Sequence, residues 1–68
     1  MLTPEDLGTQ VRAARKASGL DQLLLADLAG VSDRFVRDLE HGKPTVQLRM
    51  VLAVLDTLGL DLVVQARR

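Results

Sequence analysis

The chain has 68 residues with nine basic and nine acidic side chains, so it carries no net charge and any positively charged surface must be local. A chain of this length buries only about 60% of its unfolded surface, which predicts one domain that is marginal alone and gains from a partner subunit. The absence of cysteine, of a long apolar run and of a secretory leader predicts a soluble, cytoplasmic protein without membrane contact. Phe35 is the only aromatic residue, which argues against the base stacking that single-strand nucleic-acid binders use.

The first predicted helix covers residues 4–17. Thr3 offers a hydroxyl to the free amides at its start, and Pro4 occupies the first helical position, where a missing amide proton is tolerated. Gly19 follows a serine and ends the helix. The apolar positions on one face are Leu7, Val11 and Ala14. This pattern predicts an amphipathic helix that packs on a core by one side.

Two short helices joined by a tight turn are predicted over residues 22–29 and 33–41. Asp21 and Ser32 are the capping residues at their starts, and Gly30 ends the first of them because glycine tolerates a positive φ. The apolar positions where the helices touch are Leu25, Ala26, Ala29, Val31, Val36 and Leu39. This is the pattern of a helix-turn-helix, whose second helix projects far enough to lie in the major groove of B-DNA. Residues 33–41 are therefore the candidate recognition helix.

A Gly-Lys-Pro loop precedes a fourth predicted helix, over residues 46–58, with Thr45 as its cap. Met50 and Val54 form an apolar stripe on one side of this helix, which predicts a packing partner of its own. The stripe that we expect to pack on the core consists of Leu48, Val51, Leu52, Leu55 and Leu58.

The segment over residues 60–65 is rich in β-branched residues in partial alternation, which predicts a short C-terminal strand. No other segment looks extended, so its simplest partner is the same strand of a second molecule across a two-fold axis. The expected interface of this homodimer consists of Met50, Val54, Leu60, Leu62, Val63 and Val64. The predicted fold class is all-α, a compact four-helix DNA-binding domain with a helix-turn-helix and a short C-terminal β-strand.

The sequence resembles the phage-repressor class of helix-turn-helix domains, also called the Cro/C1 or Xre class, between residues 7 and 58. The motifs that carry the resemblance are Gly19-Leu20, Gln22, Leu25-Ala26, Gly30-Val31, Leu39-Glu40 and Gly42-Lys43. The continuation over residues 42–48, with the terminal strand, is more narrowly similar to HipB-type antitoxins, which partner a HipA-like kinase toxin. The resemblance implies a dimer that binds its own double-stranded operator DNA, represses its operon and also holds or neutralises the toxin.

The resemblance also implies which side chains contact DNA. Base edges are expected to be reached by Ser32, Asp33, Arg34, Arg37 and Asp38. Phosphates are expected to be contacted by Gln22, His41, Lys43, Thr45 and Gln47. Arg34 and Arg37 are the favoured base contacts, because an arginine can pair with guanine N7 and O6, and each good pair discriminates by about 1–3 kcal/mol.

Acidic side chains depart from the pattern of the class. Asp21 stands where a neutral polar residue usually lies near a phosphate, and Asp33 and Asp38 place carboxylates in the recognition helix. An aspartate can still accept a hydrogen bond from cytosine N4. Between residues 21 and 43 there are three basic and five acidic side chains, which predicts modest or strongly salt-sensitive DNA affinity.

Leu24 and Leu28 are a further departure, since they lie one turn apart on the usually polar outer face of the second helix. They are either scattered surface leucines, which are common, or a docking patch for another protein. The alternative function is therefore a protein-interaction module on a helix-turn-helix scaffold that binds a toxin or another partner and contacts DNA weakly.

Other polar residues have structural explanations. The resemblance implies that Arg15 and Glu40 form an internal salt bridge between the first and third helices rather than contacts to DNA. His41 is the only histidine, and no acidic or cysteine cluster lies at ligand spacing, so no metal site is predicted. No nucleophile, histidine and carboxylate are plausibly arranged for catalysis and there is no phosphate-binding glycine loop, so we expect no enzymatic activity and no cofactor.

Overall fold

The computed structural model describes residues 2–67, and this part of the chain forms four α-helices. They are α1 (Pro4–Ala17), α2 (Gln22–Ala29), α3 (Asp33–Glu40) and α4 (Leu48–Thr57). The bounds of α1 and α2 equal those predicted from the sequence, α3 ends one residue earlier, and α4 is shorter than predicted at both ends. Within residues 2–67, no helix combines the length and the apolar character needed to cross a membrane.

The starts of α1, α2 and α3 are fixed by the capping side chains that the sequence predicts. Oxygen atoms of Thr3, Asp21 and Ser32 each accept a hydrogen bond from the backbone amide three residues later, at 3.0, 2.8 and 3.0 Å. Each bond satisfies one of the amides that a helix start leaves without a partner. At the end of α2, Gly30 has a φ of 73°, the left-handed conformation that stops the helix and turns the chain toward α3.

The start of α4 corrects one prediction. Thr45 does not cap this helix, because the cap position is occupied by Gln47, whose side chain makes no capping hydrogen bond. Thr45 lies instead in a turn with Pro44, and the chain is not yet helical at Val46. The physical reason is that proline fixes its own φ at a value that favours the first central position of a turn.

The helices meet in a core whose α4 face differs from the prediction. Leu48 and Leu52 were expected inside but are 60% and 44% exposed, whereas Val54 is fully buried. Val54 therefore belongs to the core, which corrects its assignment to a dimer interface. Two apolar stripes lie side by side on this helix, and the other helices cover the region where the stripes meet, so Val51 and Leu55 of one stripe and Val54 of the other are buried. The buried apolar residues are Val11, Leu25, Ala26, Val36, Leu39, Val51, Val54 and Leu55.

Residues 60–67 follow α4 without forming a helix or a strand. The strand predicted over residues 60–65 is therefore absent from the single chain, because residues 2–67 contain no second strand with which it could pair. Leu62, Val63 and Val64 are exposed, while Leu60 is half-buried against the core. The amide of Leu60 donates to the carbonyl of Leu55 at 2.8 Å and so fixes the direction in which this tail leaves α4.

Candidate nucleic-acid interface

The third helix turns one side to the core and the other to solvent. Val36 and Leu39 are buried where α3 contacts α1 and α2. Successive helical residues are about 100° apart, so the polar positions on the opposite side cover an arc of about 140°. We call this arc the outer face of α3, and it consists of Asp33, Arg34, Arg37 and Asp38. A buried inner face and a charged outer face give α3 the arrangement of a recognition helix.

The predicted base-contact residues are all located at this outer face or at its N-terminal edge. Ser32 precedes the helix, where its hydroxyl oxygen accepts the capping hydrogen bond and its hydroxyl proton is left for another acceptor. The side chain of Arg34 is 80% exposed and that of Arg37 is 53% exposed, so both can extend toward a partner. Sequence reasoning therefore identified residues that share one accessible surface.

Carboxylates of the same surface face its positive charges. Arg37 Nη2 lies 3.8 Å from Asp33 Oδ2, and Arg34 Nε lies 4.0 Å from Asp38 Oδ2. Lys43 Nζ lies 3.5 Å from the same Asp38 oxygen. All three basic side chains between residues 21 and 43 thus have an acidic neighbour. The acidic residues are expected from the sequence but these pairs are not, although a spacing of four residues is the signal that predicts two of them.

Glu40, in the last turn of α3, connects this helix to α1 and α2. Arg15 Nε donates to Glu40 Oε2 at 2.6 Å, and Arg15 Nη2 donates to Oε1 at 3.0 Å. Gln22 Nε2 donates to the same Oε1 at 3.1 Å, and Arg15 Nη1 donates to the carbonyl of Leu20 at 2.8 Å. The ion pair is almost fully buried. The internal salt bridge between the first and third helices is therefore confirmed.

The pKa values of this pair favour the charged forms. Burial by itself raises the pKa of Glu40, but the hydrogen bonds from Arg15 and Gln22, with the charges of Arg15 and Arg12, bring it below its usual value. The hydrogen bond to Glu40 raises the pKa of Arg15 despite the opposing effect of burial. Both groups are charged at neutral pH, so the network orients α3 through charge-assisted hydrogen bonds.

The predicted phosphate-contact residues lie outside the outer face of α3, in α2 and in the segment between α3 and α4. Gln22 borders a polar hollow of about 270 Å³ together with Arg12 and His41. His41 Nδ1 donates to the carbonyl of Arg37 at 2.8 Å, which fixes the ring at the end of the helix. Within residues 2–67, no group of three or more histidine and acidic side chains is placed to hold a metal ion. The remaining predicted residues are exposed between α3 and α4: Lys43, Thr45 and Gln47.

Leucine side chains occupy much of the exposed side of α2, with the exposed carboxylate of Asp27 among them. Leu24 and Leu28, which the sequence analysis singled out, are 45% and 59% exposed. Leu23 is as exposed as Leu28 and extends the patch. Leu23 is not among the residues predicted for this patch, although three consecutive leucines in a short helix cannot all face one core because they are about 100° apart. We refer to Leu23, Leu24 and Leu28 as the α2 patch.

Known proteins share both the sequence pattern and the fold. The family model HTH_31, described as a helix-turn-helix domain, matches residues 6–67. A relative in Sinorhizobium fredii, the uncharacterized HTH-type transcriptional regulator y4mF, is 53% identical over 60 residues, which are 88% of this chain and 79% of that protein. Among solved structures, a chain of the HipA-HipB-O2-O3 complex superposes with a TM-score of 0.88 at 19% identity, covering 100% of this chain and 96% of that one. The restriction-modification controller protein C.AhdI from Aeromonas hydrophila superposes with a TM-score of 0.76 at 31% identity, covering 85% and 84% of the two chains.

Proposed function

Since this chain belongs to the Xre-type helix-turn-helix family of transcriptional regulators, we propose that it represses transcription by binding a specific double-stranded operator through α3. Family membership confirms the resemblance inferred from the sequence motifs. The observation that carries the proposal is the division of α3 into a fully buried inner face and an outer face with two accessible arginines. A helix anchored in this way can enter the major groove without losing its packing.

In the proposed complex, Arg34 and Arg37 contact guanine edges, and Ser32, Asp33 and Asp38 lie beside them. Both arginines are held by exposed pairs at 3.8–4.0 Å, which are weak enough to exchange for a base. The phosphate contacts come from residues outside this face, namely Gln22, His41, Lys43, Thr45 and Gln47. Because few of these side chains are cationic, counterion release contributes less than in most DNA-binding domains. We expect modest affinity with selectivity that depends on base contacts.

The Arg34→Ala variant tests the base contact. We expect it to lose about 1–3 kcal/mol of affinity for the operator and little for a scrambled duplex, because a guanine contact is sequence-specific. Fluorescence anisotropy across a salt series, on duplex from the protein's own upstream region and on scrambled duplex, measures both affinities. Arg67→Ala is the matched control, since it removes the same charge from the exposed tail and should preserve the ratio of the two affinities.

Two outcomes of this titration are contrary to the proposal. If Arg34→Ala binds both duplexes with the wild-type ratio, Arg34 makes no base contact. If the wild-type protein shows no selective binding even at low salt, the second candidate function replaces the first.

We also propose that the protein is a homodimer joined through its C-terminal segment. Residues 60–65 have the sequence pattern of a strand, and the part of the chain that the structure describes, residues 2–67, contains no strand with which they could pair. Leu48 and Leu62 border one apolar groove of about 240 Å³, so α4 and the tail share a surface that a second copy can cover. Leu48 and Leu52 thus replace Val54 in the proposed interface, with Met50 at its edge. The exposed apolar side chains of this region are Leu48, Leu52, Leu62, Val63 and Val64.

Truncation after Gly59 tests the dimer. We expect the shortened chain to sediment as a monomer and to be less stable, because it lacks both the pairing strand and the apolar tail. The control is Leu23→Asp. Leu23 is as exposed as Leu48 but belongs to α2, outside the proposed interface, so this charge should leave the dimer intact. A truncated chain that remains a stable dimer shows that another surface joins the subunits.

The second candidate function is an antitoxin-type interaction with a HipA-like kinase toxin. HipB shares the fold of this chain and assembles with HipA in a solved complex. The specific observation that favours a protein partner here is the α2 patch, because three of the eight residues of this helix are exposed leucines, with a single carboxylate, Asp27, among them. Both functions are compatible in one protein, since the α2 patch and the outer face of α3 lie on different helices.

A further inference from the structure

Asp38 occupies a central place among the charged side chains of the outer face of α3. Its Oδ2 atom is 4.0 Å from Nε of Arg34, a proposed base contact, and 3.5 Å from Nζ of Lys43, a proposed phosphate contact. The side chain is one-third exposed, and within residues 2–67 no hydrogen bond to its other oxygen, Oδ1, is found. One carboxylate therefore restrains two cations and still has an accessible acceptor atom.

Helix stability does not explain an aspartate at this position. The C-terminal turn of a helix carries the negative end of the helix dipole, so an acid there is unfavourable. A pair four residues apart stabilises a helix more when the acidic residue comes first in the chain. In the Arg34–Asp38 pair the arginine comes first, which is the less stabilising order. Asp33 differs on both points, because it lies in the first turn and precedes Arg37. The fold thus accounts for Asp33, whereas the only side-chain interactions found for Asp38 within residues 2–67 are its pairs with Arg34 and Lys43.

A carboxylate at this position has opposite effects on two kinds of DNA. Next to Lys43 and Arg34 it repels the phosphates of any duplex and lowers the gain from neutralising them, whatever the sequence. In the major groove it can accept a hydrogen bond from the exocyclic N4 amino group of cytosine. Only a site that places cytosine opposite Asp38 compensates for the repulsion and frees the two cations for DNA.

We propose that Asp38 is a specificity-determining residue, which weakens binding to non-specific DNA by holding Arg34 and Lys43 and selects a cytosine at one position of each half-site. This inference rests on the proposed function, because it requires that α3 enters the major groove. Asp38 then increases the difference in affinity between specific and non-specific DNA, rather than lowering the affinity for both.

Selection from a pool of duplexes with about 25 randomised base pairs, enough for two half-sites one helical turn apart, tests the inference and requires no defined operator sequence. We expect the wild-type protein to enrich a sequence with a fixed cytosine in each half-site. Asp38→Asn should lose this cytosine or replace it by adenine, which asparagine prefers. It should also bind a scrambled duplex about fivefold more tightly, since one repulsive charge near a phosphate is gone.

Asp56→Asn is the matched control. Asp56 is also an aspartate in the last turn of a helix, although it is more exposed than Asp38, and within residues 2–67 no ion pair of this residue is found. This substitution makes the same change in charge and in helix-dipole energy. The Asp56→Asn variant should therefore select the same sequence as the wild-type protein and bind a scrambled duplex with unchanged affinity. Circular dichroism melts of both variants report whether either change alters the fold.

The outcomes separate this inference from the proposed function. If the wild-type protein enriches a sequence and Asp38→Asn enriches the same one with an unchanged ratio of specific to scrambled affinity, Asp38 does not determine specificity and only this inference fails. Weaker binding of Asp38→Asn to both duplexes also overturns it, because Asp38 then merely orders its two cations. If the wild-type protein enriches no sequence, the proposed function fails and this inference with it.

Discussion

Replacing Glu40 by alanine is expected to lower the free energy of unfolding by about 3–5 kcal/mol, the largest effect of any single substitution proposed for this chain. The change leaves the guanidinium of Arg15 buried without its carboxylate, and Gln22 also loses its acceptor. A domain of this size has a stability of only about 3–10 kcal/mol, so this loss removes a large fraction of the total. Denaturant unfolding followed by circular dichroism gives the value.

The pair variant Arg15→Met with Glu40→Leu distinguishes two causes of the loss: the cost of leaving the charge of Arg15 buried and unpaired, and the loss of the Arg15–Glu40 interaction itself. Apolar residues of similar volume often replace a buried ion pair without loss of stability, so we expect the pair variant to recover most of the stability that Glu40→Ala loses. Glu5→Ala is the control, because Glu5 is the other glutamate of the chain and is exposed. A loss below about 1 kcal/mol for Glu40→Ala, within the range of an exposed pair, would show that the bridge is not structural.

The same pair gives stability a defined pH dependence. Because the pKa of Glu40 is lower in the folded state than its ordinary value, folding is favoured when the carboxyl is ionised in both states. This stabilisation is complete above the ordinary glutamate pKa of about 4.3 and is lost as the pH falls through the lower folded value. The free energy of unfolding of the wild-type protein should therefore decrease more steeply across that pH range than that of the pair variant. Denaturant unfolding at a series of pH values measures both.

Replacing Gly8 by alanine is expected to destabilise the protein by about 2–3 kcal/mol, although alanine is the better helix former. A Cβ atom at this position lies 2.5 Å from the carbonyl oxygen of Leu39 and 2.7 Å from that of Glu40. Both contacts are with backbone, so α1 and the end of α3 must separate. The same displacement strains the Arg15–Glu40 bridge. Thermal unfolding monitored by circular dichroism measures the loss.

Thr9→Ala is the matched control for Gly8→Ala. Thr9 is exposed on the same helix, and its replacement by alanine should be neutral or slightly stabilising through helix propensity. If Gly8→Ala raises the melting temperature, α1 and α3 can separate without cost, and the close approach is not a constraint on the fold.

The sequence predicts the local features of this protein well because their causes are local. The side chain that caps a helix lies three residues from the amide it binds, as Thr3, Asp21 and Ser32 do. Gly30 adopts its left-handed conformation because of its own missing side chain. The bounds of α1 and α2 follow from these contacts. The outer face of α3 follows from the helical period, and its accessible arginines can therefore be named from the sequence.

The tertiary structure alone decides which part of a broad apolar surface is buried. On α4 the buried face combines Val54 of one stripe with Val51 and Leu55 of the other, while Leu48 and Leu52 remain exposed, and no residue of α4 by itself predicts this division. The close approach at Gly8 depends on where the end of α3 lies, thirty residues away in the chain. These features depend on contacts between distant segments, and such contacts become defined only when the whole core is packed at once.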